Sequence, residues 1–237
     1  GRKLNVCIRD DVDAVLAETG ADIALMALAT SMEIIYPHIK KCLEAGLNVI
    51  TTSEEASYPW TASPTVTAKL DRIAKENGVT VTGSGMQDIF WATIVTHLTG
   101  ASQRIDSIEG QVSVNVDALG EMVAGFYAVG RKLDEIQAMI DAGEKFPIGD
   151  EVDFLRMDLE NQIAELGLTP KAFRKIVTPL TRDHAVPCRS RGTMIPPGDV
   201  IGLDITIEID TAEGILFKGT MTGRAYDEGE VDFNEWY

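Results

Sequence analysis

Residues 47–60 read LNVITTSEEASYPW, and this stretch sets the architecture of the chain around it. Leu47, Val49 and Ile50 form a short apolar run with the length of a buried strand, and Thr51, Thr52 and Ser53 follow where that strand ends. Two carboxylates, Glu54 and Glu55, come next, and then Tyr58, Pro59 and Trp60. Ligands of open α/β sheets sit beyond the carboxyl ends of strands. Small polar side chains, a charge and two aromatics around a rigid proline have, in that place, the composition of a pocket wall. The stretch reads as half of an active site. An equally local alternative makes Glu54 and Glu55 solvated loop acids, or the opening of the next helix, where carboxylates suit the positive end of the dipole.

Upstream, Ala21 to Leu28 (ADIALMAL) is a nearly continuous apolar run, expected as a strand covered on both faces in a parallel sheet. Ala29-Thr30-Ser31 ends it, and Met32 to Ala45 carries Ile34, Ile35, Ile39, Cys42 and Leu43 at helical spacing before Gly46, with Pro37 in the early turns. Further upstream, Leu4 to Ile8 is expected as a short strand, followed by a helix that Asp10 or Asp11 caps and Val12, Val15 and Leu16 line. Downstream, a helix from about Pro64 to Glu76, capped by Ser63 and closed by Asn77-Gly78, leads to a strand over Val79 to Thr82. The exit loop from Gly83-Ser84-Gly85 to Asp88, itself a candidate cap, opens a helix from about Ile89 to Leu98. This alternation predicts βαβ units and a parallel sheet with helices on both faces.

After Gly100 the pattern changes. Ile105 to Val116 alternates as a long strand, Glu121 to Val129 and Lys132 to Ala142 read as helices, and Asp150 to Leu166 reads as an acidic amphipathic helix. Thr169 to Ile176 is expected as a short helix begun by Thr-Pro, and Ile201 to Ile209 with Gly214 to Thr222 as a hairpin. The fold class is α/β: a partial Rossmann-type parallel sheet over residues 1–100, then an α+β domain over 101–237 with a mainly antiparallel sheet. No GxGxxG opens the series, and Gly83-Ser84-Gly85 lacks the third glycine, so the N-terminal part of the nucleotide-binding unit is expected to lie outside this sequence. Asn234 to Tyr237 shows no closing element, which is compatible with loss at that end too.

The 237 residues are 45% hydrophobic, enough for a packed core. A formal charge of −16 disfavours nucleic acid and anionic membranes and suits a cationic or neutral ligand. Cys7, Cys42 and Cys188 are expected as reduced thiols of a cytoplasmic protein, and His38, His97 and His184 have no metal-ligand spacing. No apolar run is long enough to span a bilayer, and no signal-peptide pattern opens the sequence.

Three strand-exit segments, ADIALMALATS (residues 21–31), LNVITTSEEASYPW (47–60) and VTGSGMQDIFW (81–91), together resemble the 2,4-diaminopentanoate dehydrogenases and the native amine dehydrogenases similar to them. These are relatives of dihydrodipicolinate reductase and diaminopimelate dehydrogenase. The Glu-Glu-x-x-Tyr-Pro-Trp segment is the most specific part, and the likeness is clear up to about Gly120. Where the family pattern leads one to expect an Asn-Pro-Gly-like turn, this chain has Gln87-Asp88-Ile89, so its substrate pocket is expected to differ.

The resemblance implies an NAD- or NADP-dependent enzyme of amino-acid metabolism that converts an amine to an imine, which hydrolyses to ketone and ammonia, and a homodimer. A cationic amine must lose a proton before hydride leaves its carbon, and the developing iminium needs a nearby negative charge. By resemblance that role falls on Glu54, with Glu55 as the other candidate. Ala29, Thr30, Ser31, Thr51, Thr52, Gly83 and Gly85 are the expected cofactor contacts, because small side chains at strand ends admit a ribose and a flat ring. Tyr58, Trp60, Phe90 and Trp91 are the expected substrate wall, ordinary helix packing being the alternative for Phe90 and Trp91. Two other functions compete. A cyclic-imine reductase of the dihydrodipicolinate reductase type wants a basic site for a dicarboxylate, and Arg and Lys are not clustered in these loops; a non-catalytic Rossmann-like binding module is the other.

Overall fold

The structure, a computed structural model, describes residues 6–85, 87–148 and 153–237. It divides into two compact units, Gly1–Gly85 and Met86–Tyr237. The division falls earlier than residue 100, because Trp91 and Val95 are buried with Ile108, Leu155 and Leu159 in a core of the second unit. Among the described residues no helix is long and apolar enough to cross a membrane.

In the first unit, Asp11 caps α1 (Val12–Thr19) by accepting from the Ala14 N–H at 3.0 Å. Of the strand expected before it, Leu4 and Asn5 lie outside the described residues, and Val6 to Ile8 have no ladder partner among the described residues and stand exposed. Then come β1 (Ile23–Met26), α2 (Met32–Glu44), β2 (Asn48–Thr51), a 3-10 turn (Glu54–Ala56), α3 (Pro59–Ala62), α4 (Pro64–Asn77) and β3 (Val81–Gly83). The strands run parallel in the order β1-β2-β3, with Met26 beside Thr51 and Thr51 beside Gly83. Consecutive order with crossovers of one hand puts both connecting helices on the same face. Ile35, Ile39 and Leu43 of α2 and Leu70 and Ile73 of α4 therefore share one core with Val49. Among the described residues the connecting helices lie on that one face, and Ile23, Leu25 and Leu28 are exposed, with Leu25 at 81%.

The second unit opens with a π-helix (Gln87–Thr93) running into α5 (Ile94–Thr99), then β4 (Ser107–Asn115), α6 (Glu121–Phe126), α7 (Leu133–Asp141) and α8 (Phe154–Glu165). The opening of the expected acidic helix, 150–152, lies outside the described residues. There follow β5 (Pro170–Thr181), a small hairpin of β6 (Val186–Cys188) and β7 (Thr193–Ile195), and β8 (Val200–Thr211), β9 (Leu216–Arg224) and β10 (Phe233–Trp236). The five-stranded sheet has the order β10-β4-β9-β8-β5 and is antiparallel except between β4 and β9. The β8–β9 hairpin is as expected. Two readings are corrected. Residues 169–176 are not a helix: from Pro170 the chain pairs along β8, and Arg174 Nε donates to Glu208 across the ladder at 3.0 Å. A continuous ladder outweighs the local Thr-Pro start signal. Residues 234–236 lie in the edge strand β10, whose Trp236 ring would sit 2.6 Å from a Cβ at Gly110, so only glycine admits it.

Candidate active site

The parallel sheet of the first unit gathers three strand exits at one edge. Thr52 N–H donates to Met26 O at 3.0 Å, and Ser84 N–H donates to Thr51 O at 2.9 Å, so the ladder continues one residue past each strand end. The exits carry Ala29-Thr30-Ser31, Thr51-Thr52-Ser53 and Ser84-Gly85, a row of small residues. Thr52 is exposed, whereas Thr51 is buried and accepts from the Ser53 N–H at 3.2 Å. Gly85 has φ +144, a conformation that L side chains rarely adopt. Gly83 is glycine for a different reason: a Cβ there would lie 2.9 Å from Ser57 N and closer still to the Ala56 carbonyl. It lets the 3-10 turn seat on the end of β3.

That turn separates the two carboxylates. Glu55 Oε2 accepts from the Met32 N–H at 2.6 Å, the first free donor of α2, and from Ser63 Oγ at 2.9 Å. Its charge lies at the positive end of the α2 dipole. Ser31 meanwhile caps α2 conventionally, accepting from the Glu33 N–H at 3.3 Å. Glu55 N–H donates to Thr30 O at 3.3 Å, and Ser53 Oγ donates to the same oxygen. Glu54 is half-buried, and its carboxylate makes no hydrogen bond or ion pair among the described residues. Only its carbonyl is engaged, accepting from the Ser57 N–H and hydroxyl. Of two adjacent acids, one is spent on structure and the other is left with its charge available.

Tyr58 precedes α3 and is half-buried, and Trp60 within α3 is 59% exposed. Phe90 and Trp91 belong to the second unit. Phe90 is 52% exposed, while Trp91 is 1% exposed in the core against α8, and Gln162 Nε2 donates to its carbonyl. Burial there is the ordinary packing that the sequence left open. Ser63 was missed as part of the site: read as the cap of α4, it makes no side-chain cap hydrogen bond and reaches Glu55 instead.

No family model matches the chain. The amine dehydrogenase of Mycobacterium smegmatis is similar in structure over the whole chain, with TM-score 0.80 and 37% identity, and the chain covers 68% of it. The chain belongs to the amine dehydrogenase family. A 2,4-diaminopentanoate dehydrogenase of Acetoanaerobium sticklandii is 28% identical over 141 residues, covering 57% of this chain and 40% of that enzyme. The matched part is thus less than half the length of that curated relative. A UDP-N-acetylglucosamine 3-dehydrogenase of Acidithiobacillus ferrooxidans shares the fold, with TM-score 0.56 and 13% identity, over 96% of this chain and 57% of its own. Within this amine dehydrogenase-family chain, the residues that meet at one edge are Thr30, Ser31, Thr52, Glu54, Glu55 and Gly85.

Proposed function

We propose that the protein oxidatively deaminates a small primary amine, or runs the reverse reductive amination, with NAD or NADP, and that Glu54 is its base. The single observation that carries this is the half-buried Glu54 carboxylate, unpartnered among the described residues, at the carboxyl edge of a parallel sheet. Kinship to amine dehydrogenases supports the reaction class. The residues present suit the nicotinamide end of the cofactor: the strand exits carry no large side chain, Thr52 is exposed, and Gly85 holds a backbone that a Cβ would strain. When bound, the nicotinamide supplies the hydride acceptor or donor. Glu54 then takes a proton from the substrate ammonium and passes it on to solvent water, and the carboxylate so restored faces the nitrogen as the C–N bond gains double-bond character. Water adds to the iminium carbon, and loss of ammonia leaves the ketone. Tyr58 and Trp60 are the wall proposed to exclude bulk water.

The test is Glu54→Gln in the full-length protein, with nicotinamide absorbance followed during oxidation of 2,4-diaminopentanoate and of 2-aminobutane. The expected outcome is a turnover loss of about 10²–10⁴-fold, typical of a removed general base, with cofactor affinity kept. Undiminished turnover would sink the assignment.

The same reading carries a cytoplasmic enzyme of amino-acid metabolism and a homodimer formed through the second sheet. Its edge strand β5 leaves Phe173 at 41% and Ile176 at 48% exposed, an edge that a second copy would cover. Sedimentation velocity at micromolar concentration should find a dimer, and monomer alone would contradict this.

A further inference from the structure

We propose that Glu55 is the positioning residue of this site, holding the turn from which Glu54 works; this rests on Glu54 being the base. The three-residue 3-10 turn has little to hold it by itself. Its own bonds are the Ala56 N–H to Ser53 O at 3.0 Å and the Ser57 N–H to Glu54 O at 3.1 Å, and such turns have poor bond geometry. The Ser57 hydroxyl adds a bond to Glu54 O and Ser53 Oγ one to Thr30 O, but the side-chain tether to the two flanking helices comes from Glu55. One oxygen, Oε2, accepts both from the N-terminus of α2 and from the Ser63 hydroxyl, while the Glu55 N–H grips Thr30 O. The turn is thereby tied to the β1–α2 connection on one side and to the α3–α4 junction on the other. With three residues per turn, neighbouring side chains diverge by about 120°. Glu55 pointing at α2 therefore fixes Glu54 pointing away from it.

The identity of the oxygen makes the idea testable. Because both bonds end on Oε2, the amide oxygen of a glutamine can accept both, so Glu55→Gln removes the charge and keeps the tether. Glu55→Ala removes both. Steady-state oxidation of 2,4-diaminopentanoate by the full-length protein is measured for Glu55→Ala, Glu55→Gln, Ser63→Ala, Glu54→Gln and the double variant Glu54→Gln/Glu55→Ala. The expected result is a kcat loss on the order of 10²-fold in Glu55→Ala, the effect of moving a reacting group by about 1 Å, with KM and nicotinamide affinity unchanged. Glu55→Gln stays within a few-fold of the parent, Ser63→Ala falls between, and the double variant is no slower than Glu54→Gln, because Glu55 acts through Glu54. Glu55→Gln as slow as Glu55→Ala, or a multiplicative loss in the double variant, overturns the proposal. So does full kcat in Glu55→Ala beside an inactive Glu54→Gln, which leaves the base assignment standing. Full turnover in Glu54→Gln instead removes the base assignment itself. Should Glu55→Ala not fold, Ser63→Ala decides: a lowered kcat at unchanged KM supports the tether, and an unchanged kcat refutes it.

Discussion

Replacing Gly83 by alanine adds one methyl group at the point where the turn carrying Glu54 meets the sheet. The added Cβ would lie 2.9 Å from Ser57 N and closer still to the carbonyl carbon and oxygen of Ala56. These are backbone atoms, so no rotamer change relieves the clash. Gly83 is not among the glycines with positive φ, so its backbone conformation is open to alanine and space is the obstacle. Ordinary carbon contacts begin near 3.5 Å, so the turn must retreat by roughly 1 Å. Overpacking of this kind costs about 1–3 kcal/mol. The stiffer unfolded chain returns about 0.4–1 kcal/mol, leaving a net loss of about 1–2 kcal/mol. For a chain of this size that is a fall in Tm of about 2–8 °C. The same displacement carries Glu54 with it, so turnover should fall on the order of 10²-fold, while nicotinamide affinity changes little. Thermal melts, steady-state turnover and a cofactor titration on one preparation decide the matter. Parent-like stability and turnover with weakened cofactor binding would refute the packing argument and return Gly83 to the role of a cofactor contact.

Two further outcomes follow from the second unit. Hydrogen bonding from Arg224, with the Asp227 N–H and Arg182 adding to it against a smaller opposing effect of burial, pulls Glu230 from the ordinary 4.5 down to about 2. A depressed carboxylate stabilises above its unfolded pKa and loses that contribution as pH falls, so the parent should lose on the order of 1–3 kcal/mol between 4.5 and 2. Glu230→Gln should flatten urea midpoints across that window, and an unchanged pH dependence would contradict it. Gly223→Ala would place a Cβ 2.8 Å from Tyr127 Cγ and closer still to the ring edge, so it should destabilise by about 1–3 kcal/mol in urea denaturation; a parent-like midpoint would show that the ring moves freely.

The parts of the fold that sequence disclosed are those written in local periodicity. Ile35, Ile39 and Leu43 mark α2, and Val200 to Thr211 with Leu216 to Arg224 form the hairpin their alternation predicts. What was not legible depends on partners distant in the chain. The run ADIALMAL says that its strand is apolar, but its place in the sheet is set by the register with β2, whose residues lie more than twenty positions further on. Pro170 can open a helix as readily as a strand, and only the ladder with β8 selects between them. The site shows the same limit at the scale of single atoms. Ser63-Pro64 is a sound helix-start signal and α4 does begin there, but capping needs the hydroxyl oxygen to accept from an α4 N–H, and the Ser63 hydroxyl, donating instead to Glu55 eight residues earlier, makes no such bond. Residue type made Glu54 and Glu55 equivalent candidates. The Met32 N–H, brought from twenty-three residues away, breaks that equivalence by engaging the Glu55 carboxylate and leaving that of Glu54 without a partner among the described residues, which is the ground for proposing it as the base.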